Sequence, residues 1–221
     1  LSIISICLFS FGVLTKKKIF FFLLPILMSL SFLSMQLPAG LINLILIFAL
    51  IYYAIPFKKN LEIIKFFVYG SFFSLTLFII YLLIIDISFK SFLDQYILFP
   101  YSFGLDRIFG VEKAFEAAKL TNKLNFKSLF LDFKFINIFL FSYIIFLILN
   151  RKKYFKNIKK FIILDLIIII SVCAFIFHQL ITANQIFIFS LIPFISSIFY
   201  YRIKIEYPNH SFIKIIIITL L

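Results

Sequence analysis

The sequence predicts an all-α fold, a polytopic bundle of transmembrane helices. Of the 221 residues, 64% are hydrophobic and 35 are phenylalanine, and the mean hydropathy is +1.15. Only 14% of the residues are charged, whereas roughly a quarter are charged in an ordinary soluble domain. A soluble domain of this size cannot bury so much apolar surface, and a disordered chain needs low hydrophobicity. The composition therefore leaves a membrane protein.

Eight apolar runs are predicted to cross the bilayer. Backbone groups in hydrocarbon must be hydrogen-bonded within their own segment, so each run is predicted to be a helix. The runs also lack the alternating polarity of a barrel strand. The predicted spans are 1–14, 19–35, 41–56, 63–85, 135–150, 161–177, 186–201 and 211–221. Because the first and last are shorter than the ~20 residues that cross a bilayer, we expect residues 1–221 to be one bundle from a longer protein, cut inside a span at each end.

The short turns between these runs alternate in charge, which predicts their orientation. Lysine and arginine gather at 16–18, 58–65, 151–160 and 202–204, whereas the turns at 36–40 and 178–185 carry neither. Basic turns stay in the cytoplasm. We therefore expect a multi-pass protein of a bacterial inner membrane, with the uncharged turns and the long loop 86–134 on the outer face. The net charge of +13 follows from this orientation, so no nucleic-acid partner is predicted.

The long loop 86–134 holds six of the nine acidic residues of the chain. Loops of this length usually carry function or are disordered, and the many aromatic residues argue against disorder. Apolar residues recur at helical spacing at 108, 111, 115 and 118, which predicts an amphipathic helix that lies on the membrane surface or caps the bundle. Residues 124–133 are expected to run along the interface into the next span.

Polar residues gather in three segments on the predicted outer side: Gln36–Gly40, the stretch from Asp94 to Arg107, and His178–Gln185. A helical turn would place His178, Thr182 and Gln185 on one face. Each segment also has a plain structural interpretation, as a helix end, a helix cap, a local ion pair or an interface marker. Asp165 is predicted to reach out of its span toward Lys159 and Lys160. Pro25 and Pro193 are predicted to kink their spans.

Common soluble-enzyme motifs are missing from the sequence. It contains no Gly-rich phosphate loop, no CxxC, no HExxH and no GxSxG. With two histidines and no paired cysteines, a zinc site is not predicted. No cofactor is predicted, although the sequence does not exclude a divalent metal.

The architecture and the three polar segments together resemble the GT-C superfamily of membrane glycosyltransferases, and within it the mannosyltransferase-like (RgtA/B/C/D-like) proteins. Gln36–Gly40 is similar to a Lys-Gln-x-Pro-Ala stretch of such proteins, with Met35 in place of the lysine. The run Asp94–Pro100 followed by Arg107, and His178-Gln179 followed by residues 184–187, also look like members of that group.

This resemblance implies an enzyme that takes a sugar from a polyprenyl-phosphate carrier on the outer face of the membrane. In such enzymes an acidic residue of the first outer loop acts as the base on the acceptor hydroxyl. That loop is expected upstream of Leu1, so no catalytic residue is assigned here.

Residues of the three segments are the candidates for substrate binding. A phosphate leaving group needs a cation, and arginine offers it a planar fork, so Arg107 is the first choice and Lys113 the second. His178 is a donor to phosphate or sugar. Gln36, Asn184 and Gln185 are candidates for holding sugar hydroxyls, and Tyr96 is a candidate for stacking on a sugar ring or on the isoprenoid tail. Asp94 is an available carboxylate and a further substrate-binding candidate.

Three other functions fit the sequence. A transporter or flippase should carry ionisable or helix-breaking positions near mid-membrane, and apart from the two prolines we expect the mid-span positions to be apolar. An O-antigen polymerase or ligase shares the lipid-linked substrate and a long outer loop, and the sequence barely separates it from the glycosyltransferase. A membrane scaffold would use the outer loop only to bind a partner.

Overall fold

The computed structural model describes residues 1–54, 61–109, 124–150, 158–182 and 186–207, and the regular structure among them is all helical. The all-α prediction is therefore confirmed for this part of the chain. The helices are α1 Ser2–Thr15, α2 Lys18–Ser34, α3 Gln36–Ala54, α4 Leu61–Ile84, α5 Phe89–Leu93, α6 Phe99–Phe109, α7 Lys134–Leu149, α8 Ile158–Thr182 and α9 Leu191–Glu206. A π-helical turn, Asp94–Leu98, joins α5 to α6. A second one, Lys127–Leu131, precedes α7, and a 3₁₀ turn, Ile186–Ser190, precedes α9.

Among the described residues, four helical segments are long and apolar enough to cross a membrane: Gln36–Ala54, Leu61–Ile84, Ile162–Ile181 and Ile188–Glu206. Helices α1, α2 and α7 are apolar but shorter, at 14, 17 and 16 residues. The predicted span 211–221 lies outside the described residues. The chain is thus a helical protein suited to a lipid bilayer, and the described residues do not show eight spans.

Two predicted span boundaries are wrong in a way that matters for the chemistry. Helix α8 continues to Thr182, so His178 lies inside a helix and not in a turn. Helix α9 continues to Glu206, so Arg202 is part of the helix and not of a basic loop. Both differences have one physical cause: a polar residue does not end a helix when hydrogen bonding within the helix continues past it.

Helices α1 to α4 form one half of the packing, with α2 in the centre. Gly70 of α4 lies so close to α2 that a Cβ at this position would stand 2.0 Å from the carbonyl oxygen of Phe22 and 2.8 Å from Pro25 Cγ. Phe21 of α2 meets Phe9 of α1 edge-on and stacks on Tyr53 of α3, with ring centroids 6.2 and 6.4 Å apart. These three rings are buried, so aromatic packing holds this half together.

Helices α7, α8 and α9 form the other half. Tyr143 of α7 is fully buried, and its ring meets Phe199 of α9 at 5.8 Å. Ile168 of α8 belongs to the same buried cluster. Helix α8 also contacts α3 and α1, so it joins the two halves.

The predicted long loop contains helices in its described part. Residues 89–109 run through α5, the π-helical turn and α6. The predicted amphipathic helix is centred on residues 110–119, which lie outside the described residues. After residue 124 the chain leads into α7, where Asn137 Nδ2 donates a hydrogen bond to the carbonyl oxygen of Leu129 at 2.8 Å.

Candidate functional site

The turn between α2 and α3 contacts the π-helical turn Asp94–Leu98 through two hydrogen bonds. Gln36 Nε2 donates to the carbonyl oxygen of Tyr96. The Tyr96 hydroxyl donates to the carbonyl oxygen of Leu33, near the end of α2. Helix α2 ends one residue after Leu33, at Ser34; Met35 then has an extended conformation, and Leu37 has non-helical backbone angles. Carbonyl groups at such a helix end need outside donors, and Tyr96 supplies one of them.

The ring of Tyr96 also ties this segment to α4. It stacks on Phe92 with ring centroids 5.1 Å apart and planes 15° apart. Phe92 in turn meets Phe78 of α4 edge-on at 4.9 Å. Tyr96 is half-buried, so one side of its ring is occupied by the protein itself. Two of the three predicted polar segments are therefore joined, with Tyr96 at the junction.

The structure describes only some of the other residues of the predicted site. Asp94 is exposed at the start of the π-helical turn, and the backbone of Arg107 lies in α6. The side chain of Arg107 lies outside the described part of the structure. Lys113, Asn184 and Gln185 lie outside the described residues altogether.

His178 is buried in α8, with 3% of its surface exposed. Its helix neighbours Ile176 and Leu180 pack in a cluster with Phe133 and Leu191. The next residue, Gln179, is also buried, and its Oε1 has no hydrogen-bond partner among the described residues. His178 thus belongs to the interior of the α7–α9 half.

A charged cluster that the sequence analysis missed lies between α7, α8 and α9. Asp165 of α8 is 3% exposed, and its Oδ2 lies 3.3 Å from Nη2 of Arg202 in α9, which is also 3% exposed. The Tyr143 hydroxyl donates to Asp165 Oδ1. The prediction that Asp165 reaches out toward basic residues at the end of its span is wrong, because Asp165 is buried and paired with Arg202.

This cluster borders a cavity of about 540 Å³ between α1, α8 and α9. Asp165 and Arg202 line one part of its wall, and most of the rest is apolar, with Phe11, Ile168 and Phe194 among the lining residues. A second cavity, of about 320 Å³, lies between α3 and α8 and has an apolar wall. Gln36, Asp94, Tyr96 and His178 line neither of these two cavities in the described part of the chain.

No protein-family model matches this chain, and neither does any curated protein or solved structure. The resemblance to the GT-C superfamily therefore depends on the predicted architecture and on the short motifs near residues 36–40, 94–107 and 178–187. The function has to be inferred from the contacts of the residues themselves.

Proposed function

We propose that the chain belongs to an integral membrane glycosyltransferase that transfers a sugar from a polyprenyl-phosphate donor on the outer face of a bacterial inner membrane. In this proposal the eight predicted spans cross the bilayer, and the lysine-poor turns and loop 86–134 face outward. The lipid bilayer and the lipid-linked sugar are the partners. The catalytic base is supplied by a part of the protein upstream of Leu1.

The contact between Gln36 and Tyr96 carries this proposal. The two residues are 60 positions apart in sequence, yet their hydrogen bond brings together two polar segments that the motif resemblance selected independently. Asp94 is part of the same π-helical turn as Tyr96, and Arg107 follows on the next helix. A polar region of this kind, at the end of apolar helices, suits a substrate whose head is hydrophilic and whose tail is lipid.

Charge complementarity assigns the roles within the site. The donor carries phosphate, and the guanidinium of Arg107 gives phosphate two parallel hydrogen bonds. Lys113 adds a second cation. Amide side chains such as Gln36, Asn184 and Gln185 hold sugar hydroxyls, and His178 donates to phosphate or sugar.

Sugar transfer from a polyprenyl-phosphate donor by the full-length protein in membranes tests the proposal. Arg107→Ala and His178→Ala are expected to lower the transfer rate at least about 100-fold, since each removes a donor to a charged or polar group of the transition state. Lys90→Ala is the matched control for Arg107, because Lys90 is an exposed cation on α5. Wild-type rates in both variants, at equal expression, would remove these residues from the site.

A transporter is the second candidate, and the buried pair of Asp165 and Arg202 favours it. Ionisable residues inside apolar helices mark substrate and ion pathways by default. The sequence argument against transport concerned mid-span positions, and this pair adds two buried ionisable residues inside the helices, nearer to their basic ends. Pro193, at the start of α9, lines the same cavity. In proteoliposomes, transbilayer movement of a fluorescent polyprenyl-phosphate lipid that is lost in Asp165→Asn, with no sugar transfer in the wild type, would select the transporter.

A further inference from the structure

The cavity between α1, α8 and α9 combines an apolar wall with a basic end. Pro193, Ser197 and Tyr201 recur every four residues along α9, and all three are exposed and line the cavity. Such spacing places them on one face of a helix. On the facing helix, Phe11 of α1 lines the cavity and is 56% exposed. The cavity is therefore a groove that opens sideways, toward the surface that faces lipid.

Three of the polar residues that line the groove, Ser10, Asp165 and Ser197, have hydrogen-bond partners within the protein. The Ser197 hydroxyl donates to the carbonyl oxygen of Pro193 at 2.6 Å, and the Ser10 hydroxyl donates to that of Ile6 at 2.8 Å. Asp165 is engaged by Arg202 and Tyr143. A polar solute or a hydrated ion would find little to replace its water, whereas an apolar chain loses nothing and gains contact with the wall.

The dimensions of the groove suit a hydrocarbon chain. The lining residues of α9 extend from 193 to 202, which at a rise of 1.5 Å per residue is about 13 Å. This is a little under half of the ~30 Å hydrocarbon thickness of a bilayer. The volume of about 540 Å³ falls within the range of ligand pockets, which are typically apolar with a few polar groups.

One end of the groove carries exposed positive charge, and this end identifies the occupant. Leu14 and Arg202 line the groove. The exposed Lys16 and Lys17 follow directly after α1, and the exposed Lys204 lies two residues beyond Arg202. Glu206, at the end of α9, offsets one of these charges. Basic groups between transmembrane helices attract anionic lipid headgroups, and each exposed cation near the membrane surface adds to this attraction.

We propose that the groove between α1, α8 and α9 binds one hydrocarbon chain of an anionic membrane lipid, whose headgroup lies beside Lys16, Lys17 and Lys204. The site is independent of the proposed glycosyltransferase chemistry, which depends on the opposite, lysine-poor ends of the helices. It also gives a role to the buried pair of Asp165 and Arg202. Because the ion pair is neutral, it lines the groove beside the hydrocarbon chain without adding net charge to the groove wall.

Photo-crosslinking in nanodiscs tests the proposal without any mutation. Phosphatidylglycerol with a diazirine on its acyl chain is the probe, and phosphatidylcholine with the same chain is the reference. We expect adducts on residues 7–14 and 193–202, at least about five times more abundant with phosphatidylglycerol. The cavity between α3 and α8 is the internal control, since its wall is apolar but holds no charged residue. Equal labelling of the two cavities, or no headgroup preference, overturns the proposal.

Two matched substitutions on α9 sharpen the test. Ser197→Phe fills the groove, whereas Ser196→Phe adds the same bulk at a neighbour that does not line it. Both serines donate to the carbonyl oxygen of Pro193, so the lost hydrogen bond is matched. Adducts should fall about tenfold in Ser197→Phe and change less than about twofold in Ser196→Phe. Undiminished adducts in Ser197→Phe, or protein–protein crosslinks at the groove in place of lipid adducts, overturn the proposal.

A separate variant tests how much the lipid headgroup contributes to binding. Replacing Lys16, Lys17 and Lys204 together with glutamine should remove the preference for phosphatidylglycerol, while chain labelling by phosphatidylcholine stays within about twofold of the wild type. A preference that survives the triple substitution overturns the proposed headgroup position.

Discussion

Arg202 and Asp165 form an ion pair inside the apolar bundle, with 3.3 Å between Nη2 and Oδ2. The two residues belong to different helices, and Tyr143 reaches the same carboxylate from a third. Each of these residues has 3% or less of its surface exposed. Charges inside apolar helices are rare and are usually paired. This cluster is therefore the polar link between α7, α8 and α9.

Removing one partner of this pair should destabilise the protein more than removing both. Asp165→Leu and Arg202→Leu each leave a buried charge uncompensated, which costs about 3–5 kcal/mol in buried pairs. The double variant removes both charges and should recover most of that loss. The Tm of the detergent-solubilised protein, followed by size-exclusion chromatography after heating, measures the effect. A double variant no more stable than the worse single variant would contradict the explanation.

The close approach of α2 and α4 predicts that a larger residue at position 70 lowers the stability of the protein through a steric clash. A Cβ on residue 70 would lie 2.0 Å from the carbonyl oxygen of Phe22, and a backbone atom cannot move aside as a side chain does. Gly70→Ala should therefore lower stability by about 1–3 kcal/mol, as overpacking usually does. The matched control is Gly104→Ala on α6, where a Cβ meets nothing within 4 Å. Because alanine favours helix more than glycine, that control should be neutral or slightly stabilising. Equal Tm shifts in the two variants would contradict the steric explanation.

The general architecture was predictable because lipid imposes it. Runs of apolar residues must satisfy their backbone groups internally, so the helices at 18–34, 61–84 and 134–149 lie close to their predicted spans. The importance of Gln36 and Tyr96 was also visible, because polar residues in such a chain are few. That the two would contact each other was not predictable, since their hydrogen bond joins backbone and side-chain atoms that no sequence periodicity relates.

The buried ion pair was missed because each partner was considered alone. Asp165 lies near basic residues in sequence, and Arg202 precedes another cation, so both look like residues at the ends of spans. The usable signal was their common depth: each lies less than two turns inside a helix end that carries basic residues. An acidic residue on one span and an arginine on the next, at similar depth, together predict a buried ion pair.

Labelling of introduced cysteines should report the sidedness on which the proposed function depends. Ser102 is exposed on α6, in the loop predicted to face outward, and Lys153 lies in a basic turn predicted to face the cytoplasm. In a background without Cys7 and Cys173, Ser102→Cys should react with an impermeant maleimide in intact cells. Lys153→Cys should react only after permeabilisation. The reverse pattern would overturn the predicted orientation and, with it, the outer-face reaction.

Loosening the contact between Gln36 and Tyr96 should release the segment that holds Asp94. Gln36→Leu removes the donor to the Tyr96 carbonyl group, and Tyr96→Phe removes the donor to Leu33. Each loses about 1 kcal/mol, which raises the open fraction of the segment about fivefold. Hydrogen exchange of the amides of residues 94–98 measures this opening.

The matched control is Ser102→Ala. The hydrogen bond described for the Ser102 hydroxyl is to the carbonyl oxygen of Phe99, within its own helix. That variant should leave exchange at 94–98 unchanged. The double variant of Gln36 and Tyr96 should exchange faster than either single variant, because the two hydrogen bonds hold the same segment from two sides. If the proposed site is correct, sugar transfer falls in the same order as the segment opens. Faster exchange with an unchanged transfer rate would separate this contact from function and leave Gln36 with a structural role alone.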